Sequence, residues 1–280
     1  MTIHQRGLAL AEVLVAMMLS LLVAVVAATL LHASTGDFMF NGANTRIDDN
    51  GRFVLAVIGQ ALRQAGYPGE PDATPPSAPA ALAVEGRDAA SVASQSDGMG
   101  APLPAINGSD VLAIRYAPAA NPGAGGGSAM LNCAGFPSEA GEWAWSIFYV
   151  ARASDGVAEL RCKYKGEHGW GADAVIRGVD AFHVLYAIDT DTPRDGIPNR
   201  HLTASAINAI GPDGWQRVTS VRIALLLHGE RGSRPGSQLS RYELLPGADP
   251  EARIDEAGLP PAMRHRTRRL FTASVALRNQ

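Results

Sequence analysis

Charge is scarce in this 280-residue chain, with 18% of residues being Asp, Glu, Lys or Arg against roughly 25% in an ordinary soluble domain. The deficit does not signal disorder, because 46% of the residues are apolar and disordered chains combine low hydrophobicity with high net charge. Neither sign dominates. With 24 basic and 27 acidic side chains the net charge is −3, so there is no global attraction to nucleic acid or anionic lipid. Lysine is nearly missing, represented by Lys163 and Lys165 alone. Catalytic and nucleotide-binding motifs are missing too: there is no HExxH, GxSxG or CxxC, and no glycine precedes a lysine as a P-loop requires. The histidines at 4, 32, 168, 183, 201, 228 and 265 include no pair at helical ligand spacing. His183 and His228 fall in strand patterns, where a sheet role outweighs a ligand role. Neither an enzyme nor a cofactor is expected.

Cysteine is equally sparse. Cys133 and Cys162 have no third sulfur or nearby histidine with which to build a zinc site. A disulfide is the natural reading, and it places the bulk of the chain outside the cytoplasm. Two unpaired buried thiols are the alternative.

What the sequence has in excess is concentrated at its start. From Leu8 to Leu31 only Glu12, Ser20 and Thr29 are not apolar. As a helix this block is roughly 36 Å long, enough to cross a hydrocarbon core of about 30 Å. It is too long for the apolar stretch of a cleaved secretory signal. Glu12 sits five positions into it, and a carboxylate in hydrocarbon needs a partner or a function. Arg6 precedes the block, so positive charge stays on the cytoplasmic side and the rest of the chain crosses.

The stretch RGLALAEVLVAMMLSLLV resembles the class III leader of type IV pilins and type II secretion pseudopilins. That resemblance implies cleavage by a prepilin peptidase after Gly7, on the cytoplasmic side, and N-methylation of Leu8. Glu12 becomes the fifth mature residue, and Leu8 replaces the family's usual Phe. Transfer from bilayer to fibre would let Glu12 pair with the α-amino group of Leu8 on a neighbouring subunit. Such an ion pair sets register more than it stabilises, because an unpaired buried charge is costly. The alternative is a plain signal anchor with an incidental Glu.

Beyond the block, Phe53, Val54, Val57, Ile58, Ala61 and Leu62 recur at helical spacing. They predict an amphipathic continuation over 32–66, weakened by Gly36, Gly42 and Gly51 and stopped by Gly66 and Pro68. Residues 68–104 read as a long surface loop with room for a short strand or helical turn, and 118–129 as a second, more flexible loop, both rich in Pro, Gly, Ser and Ala. Strand patterns cover 110–117, 143–152, 157–165, 179–189, 218–228 and 270–278. Ala153-Ser154-Asp155-Gly156 forms a hairpin turn. The expected fold is α+β, one long N-terminal helix against a mainly antiparallel sheet. It divides into a leader (1–7), a membrane or fibre-core half-helix (8–31), its continuation (32–66) and a β-rich periplasmic head (67–280).

NGRFVLAVIGQALRQAGY (50–67), GVDAFHVLYAIDTDTPRDGIPN (178–199), VRIALLLH (221–228) and RRLFTASVALRN (268–279) are similar to the corresponding blocks of the PilW family of minor type IV pilins. That resemblance implies a non-catalytic subunit of a minor-pilin complex that primes pilus assembly and sits at or near the tip. It also implies its partners: other minor pilins, the major pilin, the prepilin peptidase, the inner-membrane assembly platform and a tip adhesin. The location would be the inner membrane before assembly and the pilus at the cell surface after it. A minor pseudopilin of type II secretion is the nearest alternative, and a membrane-anchored periplasmic binding module or enzyme is the alternative of another class.

Three further clusters are ambiguous in sequence. Asp189, Asp191 and Asp195 before Gly196 resemble the start of a calcium loop. Pro193 and the lack of a following bidentate Glu favour a solvated strand-end turn. Arg264, Arg266 and Arg268 alternate, as a phosphate-contacting row on one strand face would, with Arg269 beside them. Asp249, Glu251, Asp255 and Glu256 are near enough to neutralise them, and nucleic acid is not the expected partner. Trp143, Trp145, Phe148 and Tyr149 read as core first and as an interface second.

Overall fold

A computed structural model describes residues 10–69, 82–119, 127–139, 142–211, 213–234, 236–247 and 249–279. The chain divides into two compact units, residues 1–46 and 47–280. Helix α1 (Leu10–Gln64) opens the described chain and runs unbroken through the three glycines expected to disturb it. Gly51 has a packing reason: a Cβ there would collide with the Phe271 ring. The missing side chain costs helix propensity but lets strand and helix approach closely. At the helix end Gly66 takes φ +70°, and its N–H donates to the Arg115 carbonyl at 2.9 Å. The Asn279 side-chain amide donates to the Ala65 carbonyl at 3.1 Å, so the last residues of the chain help to cap α1.

The head is built from strands β1 (Val84–Arg87), β2 (Ala90–Ser91), β3 (Leu103–Pro104), β4 (Val111–Tyr116), β5 (Gly127–Leu131), β6 (Pro137–Glu139), β7 (Ala144–Arg152) and β8 (Ala158–Gly166). They are followed by β9 (Gly169–Arg177), β10 (Val179–Ile188), β11 (Arg200–Leu202), the short helix α2 (Ala204–Ile210), β12 (Val218–His228), β13 (Arg241–Leu245), β14 (Asp249–Asp255) and β15 (Arg268–Ala276). One sheet has the order β1-β4-β7-β8-β9 and a second the order β11-β10-β12-β15, all antiparallel. The architecture is therefore α+β, as the sequence pattern indicates. The segment expected as a loop over 68–104 holds β1, β2 and β3. There Val84 and Gly86 alternate inward and Gly86 admits the Tyr186 hydroxyl where a Cβ would not fit. The second expected loop, 118–129, gives way to β5 at Gly127.

Period-two alternation explains the layers. Val54, Ile58, Ala61 and Leu62 of α1 pack with Phe148 and Leu160 of the first sheet and with Phe182, Val184, Ile223 and Leu225 of the second. The opposite face of the second sheet, Ala181, Leu185, Ala224 and Leu226, is covered by the β13–β14 ribbon through Leu244, Leu245 and Ile254. The opposite face of the first sheet, with Ile147 and Tyr149, packs with Ala90 and Val92. Burial on both faces is why β10 is apolar almost throughout rather than alternating. β15 runs in the same direction as residues 47–64 of α1: Asp48 meets Arg269, Gly51 meets Phe271 and Gly59 meets Val275.

Candidate assembly site

Along Leu10–Leu31, 22 residues long enough and apolar enough to cross a membrane, no residue is buried. Leu10 is 81% exposed and Met18 77%, far beyond the scattered apolar surface of a soluble domain. The span's two hydroxyls turn back on the helix, Ser20 donating to the Ala16 carbonyl at 2.7 Å and Thr29 to the Val26 carbonyl at 2.8 Å. Glu12, in the first turn, is left as the one titratable side chain of the span. It shares a helix face with Ala16, Ser20 and Ala24, flanked by Val13, Met17 and Leu21. A row of small residues at four-residue spacing lets another helix approach closely. Gly7 and Leu8, the expected cleavage and methylation positions, lie outside the described residues.

Cys133 and Cys162 are joined, with Cα atoms 5.8 Å apart and a separation of 29 positions in sequence. Cys162 is fully buried in β8. Cys133 sits in the turn between β5 and β6, where its N–H donates to Ser146 Oγ at 3.1 Å and Asn132 Oδ1 accepts from the amides of Ala134 and Phe136. The bond thus ties the turn between β5 and β6 to the first sheet.

The arginine row does not form. β15 begins at Arg268, so Arg264 and Arg266 precede the strand. Arg264 donates to the carbonyls of Leu259 and Ala257, and Arg266 to those of Ala262 and Gly229. Arg269 reaches Asp48 at 3.6 Å. Arg268 is buried, with Nε 2.6 Å from Asp180 Oδ2, Nη1 2.7 Å from Glu256 Oε1 and Nη2 2.6 Å from the Met263 carbonyl. Glu256 Oε2 in turn accepts from Arg234 at 2.6 Å and from the Ser240 amide at 2.9 Å. Burial pushes the Glu256 carboxyl up, but the Ser240 amide, Arg234, the His265 amide and Arg268 together hold it below its ordinary value. Neutralisation by Glu256, which the sequence allowed, holds at Arg268, in a structural node joining β10, β15 and the segment after β14.

The three aspartates do converge, with one carboxylate oxygen of each within 4.8 Å of the others. Their acceptors are engaged by the loop. Asp189 Oδ1 takes the Asp191 amide at 2.9 Å, and its Oδ2 takes those of Asp195 and Gly196 at 2.9 and 2.7 Å. The Asp191 amide first, with those of Gly196 and Asp195, lowers the Asp189 carboxyl against the effect of burial. Asp195 accepts from the Ile197 amide and Asp191 from the Asn199 side chain. The chemistry is that of a turn organised around one buried carboxylate.

The aromatic run is divided by the pleat. Phe148 and Tyr149 are buried on opposite faces of β7, and Trp145 stacks under Arg115 at 3.9 Å and edge-on to Trp170 at 5.6 Å. Lys163, which the sequence did not single out, is buried beside them. It donates to the Ala93 carbonyl and to Ser96 Oγ, both at 2.8 Å, and burial lowers its pKa to about 8 against the pull of Asp97.

Residues 147–279 match the sequence family described as Type IV Pilus-assembly protein W, PilW. The chain resembles the PilW family. The PilW-like stretch runs from within β7 through β15, taking in Cys162, the Asp189 turn and the Arg268 node. It does not include α1, so the apolar helix with Glu12 is a separate observation. Among solved structures, a similar chain is the Type IV-like pilin TTHA1219 from Thermus thermophilus, at 18% identity and a TM-score of 0.41, with 84% of this chain and 96% of that chain covered. No curated protein matches this chain.

Proposed function

We propose that this chain is a minor type IV pilin, a structural subunit that joins other minor pilins to prime fibre assembly and resides at or near the fibre tip. The observation that carries the reading is the PilW-like head on a chain whose N-terminal helix exposes an apolar surface with one carboxylate in its first turn. A helix of that kind has two favourable environments, lipid and the packed core of a fibre. In the proposed sequence of events the chain inserts with its head in the periplasm, and the prepilin peptidase cuts after Gly7 and methylates Leu8. The assembly platform then draws the helix from the inner membrane into the fibre. There Glu12 pairs with the α-amino group of Leu8 on a neighbouring pilin, and the small residues Ala16, Ser20 and Ala24 allow close packing. The major pilin follows below, and a tip adhesin is the expected partner above.

Glu12→Ala tests the mechanism. It should leave processing largely intact and lower the amount of chain recovered in sheared fibres about tenfold or more, the loss of a buried charge partner being strongly unfavourable. Normal recovery in fibres would remove Glu12 from the mechanism.

A further inference from the structure

The edges of the head's two larger sheets are guarded unevenly. β11 is three residues long and includes Arg200 and His201, and β1 is four residues long and includes Glu85 and Arg87. β9 is longer, but a register shift at Val175 bulges it, and Gly169, Gly171, Asp173 and Arg177 lie along it. Shortness, charge and bulges are the devices by which native sheets keep an edge from recruiting another strand. β15 has none of them between Leu270 and Ala276. Its nine residues pair with β12 without a register shift, and Leu-Phe-Thr-Ala-Ser-Val-Ala contains no charge, proline or glycine.

The ladder identifies the groups left over. The Leu277 N–H donates to the Thr219 carbonyl at 2.9 Å, which makes 277 and 219 a hydrogen-bonded pair. Antiparallel geometry then turns the backbone groups of Val275, Ala273 and Phe271 toward β12. Those of Leu270, Thr272, Ser274 and Ala276 point the other way, where no strand pairs with them among the described residues. The same four residues have exposed side chains. Two guanidinium groups without an ion pair among the described residues stand beside this edge. Arg222 lies across from Ser274 on β12, and Arg278 just past the end of β15.

We propose that the β15 edge accepts an extended segment of another fibre subunit, added as a fifth strand to the four-stranded sheet. Main-chain hydrogen bonds would supply affinity and side-chain contacts specificity. The occupant has an uncharged stretch facing Leu270–Ala276 and a carboxylate at the end that meets Arg222 and Arg278. A second copy of this chain is a poor occupant, because residues 268–279 offer three arginines and no carboxylate. The inference rests on the minor-pilin reading and adds to it the mode of contact with a partner.

The test uses the full-length tagged chain, isolated alone in detergent and isolated with its fibre partners from cells that assemble the fibre. Residue-resolved amide exchange is measured in both. The amides of Leu270, Thr272, Ser274 and Ala276 should exchange about 100-fold or more slowly in the assembly than alone. Those of Phe271, Ala273 and Val275 should be protected in both. Thr272→Lys and Ser274→Pro should each lower partner recovery about tenfold while the head melts as before. Should Ser274→Pro fail to fold, Thr272→Lys, which keeps every ladder bond, decides. Equal exchange of the four amides in both states overturns the proposal, as does full partner recovery with Thr272→Lys. Protection accompanied by an untagged second copy of the chain and no other subunit also overturns it, assigning the edge to self-pairing. A processed chain that enters fibres with these amides unprotected leaves the minor-pilin reading standing, whereas a chain that keeps Met1 in the membrane overturns both.

Discussion

The membrane-length helix and the head handle charge in opposite ways. In the head, the charges taken out of water at Arg268, Asp180 and Glu256 meet within one chain, at 2.6 and 2.7 Å. Along 10–31, a single carboxylate stands on an apolar surface that is entirely exposed. The head's buried charges are thus matched by its own folding. The helix is finished by its surroundings, first lipid and then other helices under the reading proposed above. The comparison teaches that stability and assembly should be separable by mutation, and the following experiments press on that separation.

The largest effect is expected at the node. Arg268→Ala leaves the buried Asp180 carboxylate without its cation and takes one of two guanidinium partners from Glu256, and should destabilise the head by about 3–5 kcal/mol, measured by urea unfolding; a loss under about 1 kcal/mol would mean that the node is solvated. Replacing Cys133 and Cys162 by Ala should cost roughly 3.5 kcal/mol, the chain-entropy estimate for a loop of this length, without changing the N-terminal residue of the mature protein. Gly51→Ala gains about 1 kcal/mol of helix propensity but drives a methyl into the Phe271 ring. The net outcome should be a loss of about 1–2 kcal/mol, with Phe271→Leu partly restoring it. A net gain would show that the helix can shift away from β15.

The smallest effect is the pH response. Because the folded-state Glu256 carboxyl lies below its ordinary value of 4.5, the unfolded chain binds the proton more readily. Its contribution is therefore complete above about 4.5 and lost as pH falls through the lower folded value. The melting temperature should drop more steeply below pH 4.5 in the native head than in Glu256→Gln.

Much of the fold was legible because its signals are local. The apolar block, the helical spacing from Phe53 to Leu62 and the β-branched and aromatic runs of β4, β7, β8, β10 and β12 each announce an element within a dozen residues. β9 was missed because GWGADAVIR combines glycines with a bulge and has one buried position. The β13–β14 ribbon was missed because its strands carry only four buried positions, Leu244, Leu245, Ala252 and Ile254, between charged residues. That second omission had consequences for the site. Without the ribbon and the segment after it, the sequence allows Glu256 to neutralise the arginines but does not single out Arg268 as the buried one. The reading proposed for Glu12 rests on the opposite kind of signal, the apolar residues beside it in sequence rather than tertiary contacts.

The most direct measurement is the intact mass and N-terminal sequence of the mature protein recovered from cells. The proposed function predicts a chain that begins with N-methylated Leu8, seven residues shorter than the full sequence. A chain that retains Met1, or one cut on the far side of Leu31, would contradict it.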